Sequence, residues 1–545
     1  MIQHKNYKVR VILVFLAFMA IYVVLVTRLF LLQIHQKDFF HMLAVQQHQV
    51  TLTSNPARGL IFDRSGTVAL AFNREVQSAF ILPHQLKQSE KTKRFVQDNY
   101  PDVFARMNEN KERHFLWLER HLTPERAAWL KKNGTDDVSL INEQKRFYPF
   151  ESLAQLIGFT DIDNKGIAGI ELGFDKTLQG VATQITIQRD ARSGNHYFER
   201  AVDQEGSQGE LLTLSIDSNL QFLAFEELKK TVDEYQAKLG SVIVMNPDTG
   251  EVLALATYPT FDPNQKSLPS LEVTKNNVVC ECYELGSVIK AFSALAALEE
   301  GVVTLDEEID CEGKVTSIDR FRVENWKSVG VLPFRDVMRM SSNVGTAKIA
   351  KRVGKKLYDH FCRVGFGKKT GIEFPGERDG FVNHPKNWSK PSIIVLSFGY
   401  ETMISLVQLA QAFCLIANGG YLVRPTLLKK SKQDFEKRER LYQESTINQI
   451  QEILESIGTR YDVPGYRVMG KTGSARCAEG KGYSLKRGIY TFAGIVEKGN
   501  YRRVIITFVK EPEKHARWAS EVAAPLFQRV AERMVLVDAT KSKKR

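Results

Sequence analysis

From Val11 to Thr27 the chain reads VILVFLAFMAIYVVLVT without one charged side chain, and Leu29 to Leu32 extend the run past Arg28. So apolar a stretch has few stable fates. A helix pairs its own backbone N–H and C=O groups, so it is the form such a run takes in lipid. The uninterrupted part is short for a spanning helix. Arg28 lengthens it, because its stem carries the charge out to the interface. The basic flank His4-Lys5-Lys8-Arg10 precedes the run, which places the N-terminus in the cytoplasm. No small-x-small cleavage site follows, so the run reads as a retained signal anchor. A buried core helix is the plainer alternative, and the terminal position and basic flank disfavour it. The rest of the chain is then expected outside the cytoplasm.

With 545 residues there is room for two or three domains. The net charge is +12 and the pI about 9.2, which favours anionic surfaces. No Cys/His zinc spacing, RNP-like aromatic motif or Walker lysine loop is present, so no nucleic-acid partner is expected. The six cysteines, Cys280, Cys282, Cys311, Cys362, Cys414 and Cys477, are irregularly spaced and do not form a disulfide scaffold. One disulfide stays open, with Cys280 and Cys282 flanking a strand end. The eleven histidines form no HExxH pair, so no metal site is expected.

After the apolar run, Gln33 to Gln49 reads as a polar helix or stalk. Arg58-Gly59-Leu60-Ile61-Phe62-Asp63-Arg64-Ser65-Gly66 and Val68 to Phe72 predict strand, tight turn, strand. Arg58, Asp63 and Arg64 are candidates for one charged network. Lys87 to Asn133 reads as charged and helical, with Thr123-Pro124-Glu125 as a helix start. Leu211 to Asp217 alternates like a strand, and Ser218 to Ala237 reads as a helix capped by Asp217 or Ser218. The pattern changes at Gly240. Ser241 to Met245 and Glu251 to Ala256 predict a hairpin around Asn246-Pro247-Asp248-Thr249-Gly250. Helices follow near Phe334 to Met340, Asn343 to Val353 and Leu406 to Ala417. Strands follow at Gly465 to Met469, Tyr490 to Val496 and Arg503 to Lys510, and Ala519 to Val535 closes as a helix. Helices enclosed in sequence by strands predict an antiparallel sheet packed by helices.

The chemistry gathers around Tyr283-Glu284-Leu285-Gly286-Ser287-Val288-Ile289-Lys290. Apolar residues at helical spacing follow, so a helix opens near Ser287 and brings Lys290 beside it, one turn on. Burial or nearby positive charge leaves a lysine partly neutral, and a neutral lysine can take a serine proton. The bare Ser-x-x-Lys spacing is more often a capping serine with a surface lysine. Two further elements weigh against that. Ser341-Ser342-Asn343 stands at a helix start: Ser341 is placed to relay a proton beside Lys290, and Asn343 to hold a substrate amide. Either serine would serve as the helix cap, and Ser193-Gly194-Asn195 repeats the spacing. Lys471-Thr472-Gly473-Ser474 follows a strand. Its lysine and hydroxyls suit a substrate carboxylate, and bare Gly473 would let substrate backbone approach. The N–H groups of Ser287 and Ser474 would form an oxyanion hole. A second Lys-Thr-Gly, at Lys369-Thr370-Gly371, sits among turn residues and is rejected as the catalytic copy.

Ser-x-x-Lys, Ser-x-Asn and Lys-Thr-Gly in this order match motifs of penicillin-binding proteins and class A β-lactamases. With the anchor, the Arg58 to Gly66 motif, Ala417-Asn418-Gly419-Gly420 and Ala523-Ala524-Pro525-Leu526-Phe527, the chain resembles a class B penicillin-binding protein over nearly its whole length. Ile157-Gly158-Phe159-Thr160-Asp161 with Gly166, Gly169, Ile170 and Glu171 is similar to the septal, cell-division type. The resemblance implies an α+β multidomain chain. It would have a cytoplasmic tail at 1–10, an anchor at 11–32 and an elongated non-catalytic platform at 45–232. A penicillin-binding transpeptidase domain with a central antiparallel sheet flanked by helices would cover 238–536, before a basic tail at 537–545. It implies a peptidoglycan D,D-transpeptidase in which Ser287 attacks a stem peptide ending in D-Ala-D-Ala, assisted by Lys290, Ser341 and Lys471. Asn343, Thr472, Gly473 and Ser474 would bind substrate. β-Lactams would acylate Ser287, a membrane glycosyltransferase and divisome proteins would be partners, and no metal or organic cofactor would be needed.

Several positions depart from the family pattern. Leu285 stands where proline is common, Val288 where Ser or Thr is, Phe398-Gly399-Tyr400-Glu401 where Gly-Gln-Gly is frequent, and Ala519-Ser520 where a glycine pair is. Leu285, Val288 and Tyr400 are expected on the rim of the site. An elongation-type transpeptidase is one alternative, and a scaffold that activates a partner synthase is another. A β-lactamase would be about half this length, and a β-lactam sensor would carry several spans.

Overall fold

The computed structural model describes residues 5–40, 42, 49–54, 56–83, 86–109, 115–189, 196–204, 206–265, 267, 270–430, 439–480, 482–514 and 517–542. His4, Ser193-Gly194-Asn195, Lys543, Lys544, Arg545 and much of the proposed stalk lie outside these residues. The chain divides into two units, 1–57 with 179–209, and 58–178 with 210–545.

In the first unit the apolar run is helical from Lys5 to Phe30 and continues as a π-helical turn, Leu31–His35. Tyr7–His35 is long and apolar enough to cross a membrane. The unit also holds a three-stranded antiparallel sheet, with Thr183–Arg189 between Gln49–Ser54 and His196–Gln204.

The second unit begins with a sheet built on one long strand, Ala69–Ile81, which pairs with Ile61–Phe62, Leu116–Leu122 and Ser139–Phe147. Strand Leu116–Leu122 corrects the expectation of continuous helix from Lys87 to Asn133. Helices Ser89–Asn99, Pro101–Glu109 and Pro124–Asn133 surround it. Leu116, Leu118 and Leu122 are buried at period-two positions, packing with Val96, Val103 and Leu130. The start at Thr123 is as read, with its side chain accepting from the Arg126 N–H and Pro124 in the first turn.

The charged network is not the one the spacing predicts. Arg58 turns from Asp63 and gives its Nε to Glu171 Oε2 at 2.6 Å, while Arg146 Nε meets the other carboxylate oxygen at 2.7 Å. Asp175 takes an Nη1–H of Arg58 at 2.7 Å. Asp63 instead accepts from Ser218 Oγ at 2.8 Å, and Arg64 reaches Glu251 at 3.5 Å. The long side chain of Arg58 crosses to an acid outside its own turn, which adjacency in sequence does not reveal.

The rest of this unit is organised by a five-stranded antiparallel sheet. Its elements are α1 (Ser218–Tyr235), β1 (Ala237–Met245), β2 (Val252–Tyr258), α2 (Lys290–Glu299), α3 (Asn343–Val353), α4 (Leu406–Ala417), α5 (Glu444–Gly458), β3 (Arg467–Glu479), β4 (Gly482–Lys498), β5 (Tyr501–Pro512) and α6 (Ala523–Ser542). The strand order is β2-β1-β5-β4-β3. The continuous apolar run of β1 is explained by burial on both faces. Val242 and Val244 pack with Leu223, Leu228 and Phe527 from α1 and α6. Ile243 and Met245 point the other way, into the core shared with Phe292, Leu295, Leu409 and Phe413 of α2 and α4. Edge strand β3 is longer than predicted. It runs through Lys471-Thr472-Gly473-Ser474, paired with β4 from Arg467↔Glu497 onward.

Candidate active site

Ser287 lies in a 3₁₀ turn, Gly286–Ile289, and α2 begins at Lys290, whose N–H closes back onto Ser287 O. In a 3₁₀ turn residues three apart eclipse one another, so this entry stacks Lys290 under the serine more directly than an α-helical turn would. Ser287 is partly exposed while Lys290 is wholly buried.

The turn is clamped against β3 backbone to backbone. Gly286 has φ +61°, and a Cβ there would come 2.6 Å from Ser474 O. A Cβ on Gly473 would come 2.4 Å from Leu285 O and 3.1 Å from Val288 Cβ. The space at Gly473 expected for substrate is therefore filled by the Ser287 turn. Leu285 and Val288 are wholly buried and do not form the rim. Of the three departures expected there, only Tyr400 is partly exposed.

The two serines of Ser341-Ser342-Asn343 divide their work. Ser342 caps α3, its Oγ accepting from Gly345 N at 3.1 Å. Ser341 is left free of capping, in left-handed backbone at φ +54°. Lys290 Nζ donates to Ser341 O at 2.7 Å and Asn343 Oδ1 at 2.6 Å, and lies 3.2 Å from Ser341 Oγ. Lys471 Nζ reaches the same Oγ at 3.1 Å and Thr472 O at 3.1 Å. One hydroxyl thus stands between two buried lysines. Ser474 Oγ accepts the Ala519 N–H at 3.0 Å, so the Ala519-Ser520 departure supports this hydroxyl through its backbone.

Burial holds Lys290 well below the ordinary lysine range, and the charge of Lys471 pushes the same way. Burial, with Arg460 nearby, brings Lys471 down to about 7. The cluster therefore holds one amine, Lys471, able to exchange protons near neutrality, beside a second, Lys290, that favours its neutral form.

Sequence reasoning missed two supports. Asn325 is buried, and its Oδ1 accepts from Ser342 Oγ at 3.0 Å and Val344 N at 3.2 Å. Asn343 Nδ2 donates to Glu324 O at 2.7 Å. Glu324 ends the second strand of a short hairpin and Asn325 follows it, with no motif of their own, so the sequence carried no signal for them. The rejected Lys369-Thr370-Gly371 lies in a loop. There Thr370 N and Oγ1 each donate to Glu377 Oε1 at 2.6 Å. All six cysteines are free thiols, which answers the open disulfide question.

Residues 240–532 match the penicillin binding protein transpeptidase domain, and residues 53–214 the penicillin-binding protein dimerisation domain. The chain is 34% identical over 496 residues to the probable peptidoglycan D,D-transpeptidase PenA of Neisseria meningitidis, covering 88% of this chain and 84% of that protein. It is 30% identical over 493 residues to the peptidoglycan D,D-transpeptidase FtsI of Escherichia coli, covering 86% and 82%. Penicillin binding protein 3 of Mycobacterium tuberculosis, solved in complex with aztreonam, superposes with a TM-score of 0.68 at 25% identity, covering 90% of this chain and 97% of that one.

Proposed function

Since the chain belongs to the class B penicillin-binding proteins, as a serine-type peptidoglycan D,D-transpeptidase with dimerisation and transpeptidase domains, we propose that Ser287 is its nucleophile and Lys290 the base. The observation that carries this is the meeting of two buried lysines on one serine hydroxyl, with one of them, Lys290, a single turn on from Ser287. A neutral Lys290 has two N–H bonds and one lone pair. Ser341 O and Asn343 Oδ1 take the two hydrogens. The lone pair, with Ser341 Oγ 3.2 Å away, is left to take the Ser287 proton directly or through that hydroxyl.

Ser287 Oγ attacks the carbonyl of the penultimate D-alanine, and its proton passes to Lys290. The N–H groups of Ser287 and Ser474 receive the developing oxyanion. The proton continues through Ser341 to the amine of the departing D-alanine. As the C–N bond breaks, the acyl-serine ester remains. An amine of a second stem peptide then attacks that ester and gives its proton back through Lys290 to Ser287, so cross-linking consumes no redox equivalent. Lys471 supplies the field and, with Thr472 and Ser474, the seat for the terminal carboxylate. Asn343 holds the substrate amide with its remaining N–H. Gly473 serves by letting β3 meet the nucleophile turn. A β-lactam acylates Ser287 by the same route and departs slowly.

The helix at Tyr7–His35 is a single-pass anchor with a cytoplasmic N-terminus, and the remainder stands on the outer face of the membrane. The segment from Ile157 to Glu171 resembles the septal type, and the likeness to FtsI supports a role in division, beside a membrane glycosyltransferase and other divisome proteins. Depletion should leave cells elongating without septa; normal septation would move the assignment to the elongation type. The chemical test is intact mass after incubation with a penicillin. One slowly released adduct is expected on the native chain and none on Ser287→Ala. Rapid turnover would indicate a hydrolase. No adduct on a folded native chain would leave the scaffold reading.

A further inference from the structure

Glu284 lies three residues before the nucleophile and has no place in the proton path above. Its Oε1 accepts two hydrogen bonds from different parts of the chain. One comes from the Glu401 N–H at 2.9 Å, the other from the Tyr483 hydroxyl at 3.2 Å. Glu401 belongs to the segment that departs from the family pattern. Tyr483 stands on β4 near the tip of the β3–β4 hairpin, opposite Ala478.

Each of these parts touches the site. Tyr283 and Ile404 exchange both backbone bonds, at 2.9 and 3.1 Å, so the approach to Ser287 is paired to the segment after Glu401. Gly399 packs so closely that a Cβ there would stand 2.2 Å from Gly286 O. Glu401 has left-handed backbone at φ +54°, and its own carboxylate is drawn away to Asn383 Nδ2 at 2.5 Å. The Tyr400 and Tyr483 rings meet edge-on, with centroids 4.9 Å apart. One carboxylate therefore ties together the Ser287 turn, the 398–403 segment and the hairpin that carries Lys471 and Ser474.

We propose that Glu284 is a positioning residue for acyl transfer, which through Tyr483 and the Glu401 N–H holds the β3–β4 hairpin and the 398–403 segment in register with Ser287. The role calls for an acceptor oxygen at this point. Side-chain amides provide one, so glutamine should substitute and alanine should not. Tyr483 needs its hydroxyl, whereas its ring contact with Tyr400 survives in phenylalanine. Small errors in register matter because a displacement of about 1 Å between nucleophile and oxyanion donors lowers a rate by about 100-fold.

The inference rests on the acyl-serine reading of Ser287, and one experiment separates the two. The full-length chain in detergent is acylated with a fluorescent penicillin over a concentration series. This gives the limiting rate constant k2 and the apparent Ks separately, beside the Tm of each protein. Glu284→Ala is expected to lower k2 by about tenfold or more with Ks within about twofold. Glu284→Gln should restore k2 to within about twofold, and Tyr483→Phe should lower it about threefold at unchanged Tm. Native k2 in a folded Glu284→Ala, or a Glu284→Gln as slow as alanine, would overturn the proposal. Should Glu284→Ala fail to fold, native k2 in Tyr483→Phe overturns it. Absence of adduct on the native chain would instead refute the acyl-serine reading.

Discussion

Lys290 Nζ stands 2.6 Å from Asn343 Oδ1, and this contact sets the direction of the Asn343 amide. Its oxygen faces the buried lysine and its nitrogen faces Glu324 O. The arrangement suits a neutral amine that must donate. A carboxylate in the same place would favour the ammonium and remove the base. Asn343→Asp is therefore expected to lower penicillin acylation at pH 7 by about 100-fold, with the acid limb of its profile moved to higher pH. An acylation profile measured on both proteins checks it; an unshifted profile would mean that Lys290 is not the base.

The two lysines titrate in opposite service. Lys290 must be neutral, so acylation falls on the acid side as it gains a proton. In the proposed mechanism Lys471 works as the cation, so acylation should fall on the alkaline side as it loses its proton above about 7. A bell-shaped profile is expected for k2/Ks. Lys471→Met removes the charge that helps depress Lys290, so the acid limb should move to higher pH and the alkaline limb should vanish.

The same burial has a stability consequence. The folded-state pKa of Lys471 lies below its unfolded value of 10.5, so the unfolded chain binds more protons between about 7 and 10.5. Stability should rise with pH across that window. The Tm of the native chain should climb more than that of Lys471→Met; parallel curves would contradict the depressed pKa.

Gly473→Ala places a methyl 2.4 Å from Leu285 O. Backbone cannot yield there without parting β3 from the nucleophile turn. Acylation is expected to fall by about 100-fold in a chain that remains folded. Native acylation kinetics would show that the turn and strand move apart freely.

Glu171 is wholly buried between Arg58 and Arg146. Glu171→Ala leaves the buried Arg146 without a carboxylate and Arg58 with Asp175 alone, and should destabilise the protein by about 3–5 kcal/mol. A chemical denaturation series on native and variant chains measures this. A loss below about 1 kcal/mol would mean that water reaches the network.

The sequence made the candidate site residues legible because chemistry dictates residue type: a serine, two lysines and an asparagine have few substitutes in acyl transfer of the proposed kind. The β1–β2 hairpin was legible because burial on both faces leaves a continuous apolar run. What stayed hidden depends on contacts across long separations. Strand β3 continues through Lys471 to Glu479 because β4 and the Ser287 turn hold it, although its own residues are poor strand formers. Arg58 finds Glu171 across 113 positions, past the nearer Asp63. Asn325 braces Ser342 from a hairpin without a motif. Leu285 and Val288 stand beside the nucleophile in sequence yet point into the core, because a 3₁₀ turn presents only every third side chain to one face.

The facing of Gly286 and Gly473 also limits what antibiotic selection can do. Each position is closed to larger residues by the backbone opposite it, so neither can drift alone while the enzyme still builds wall. A codon change at either would harm growth with or without drug. Heritable resistance in this chain is thereby channelled to side chains that can change without parting strand and turn, and the partly exposed Tyr400 is one of these.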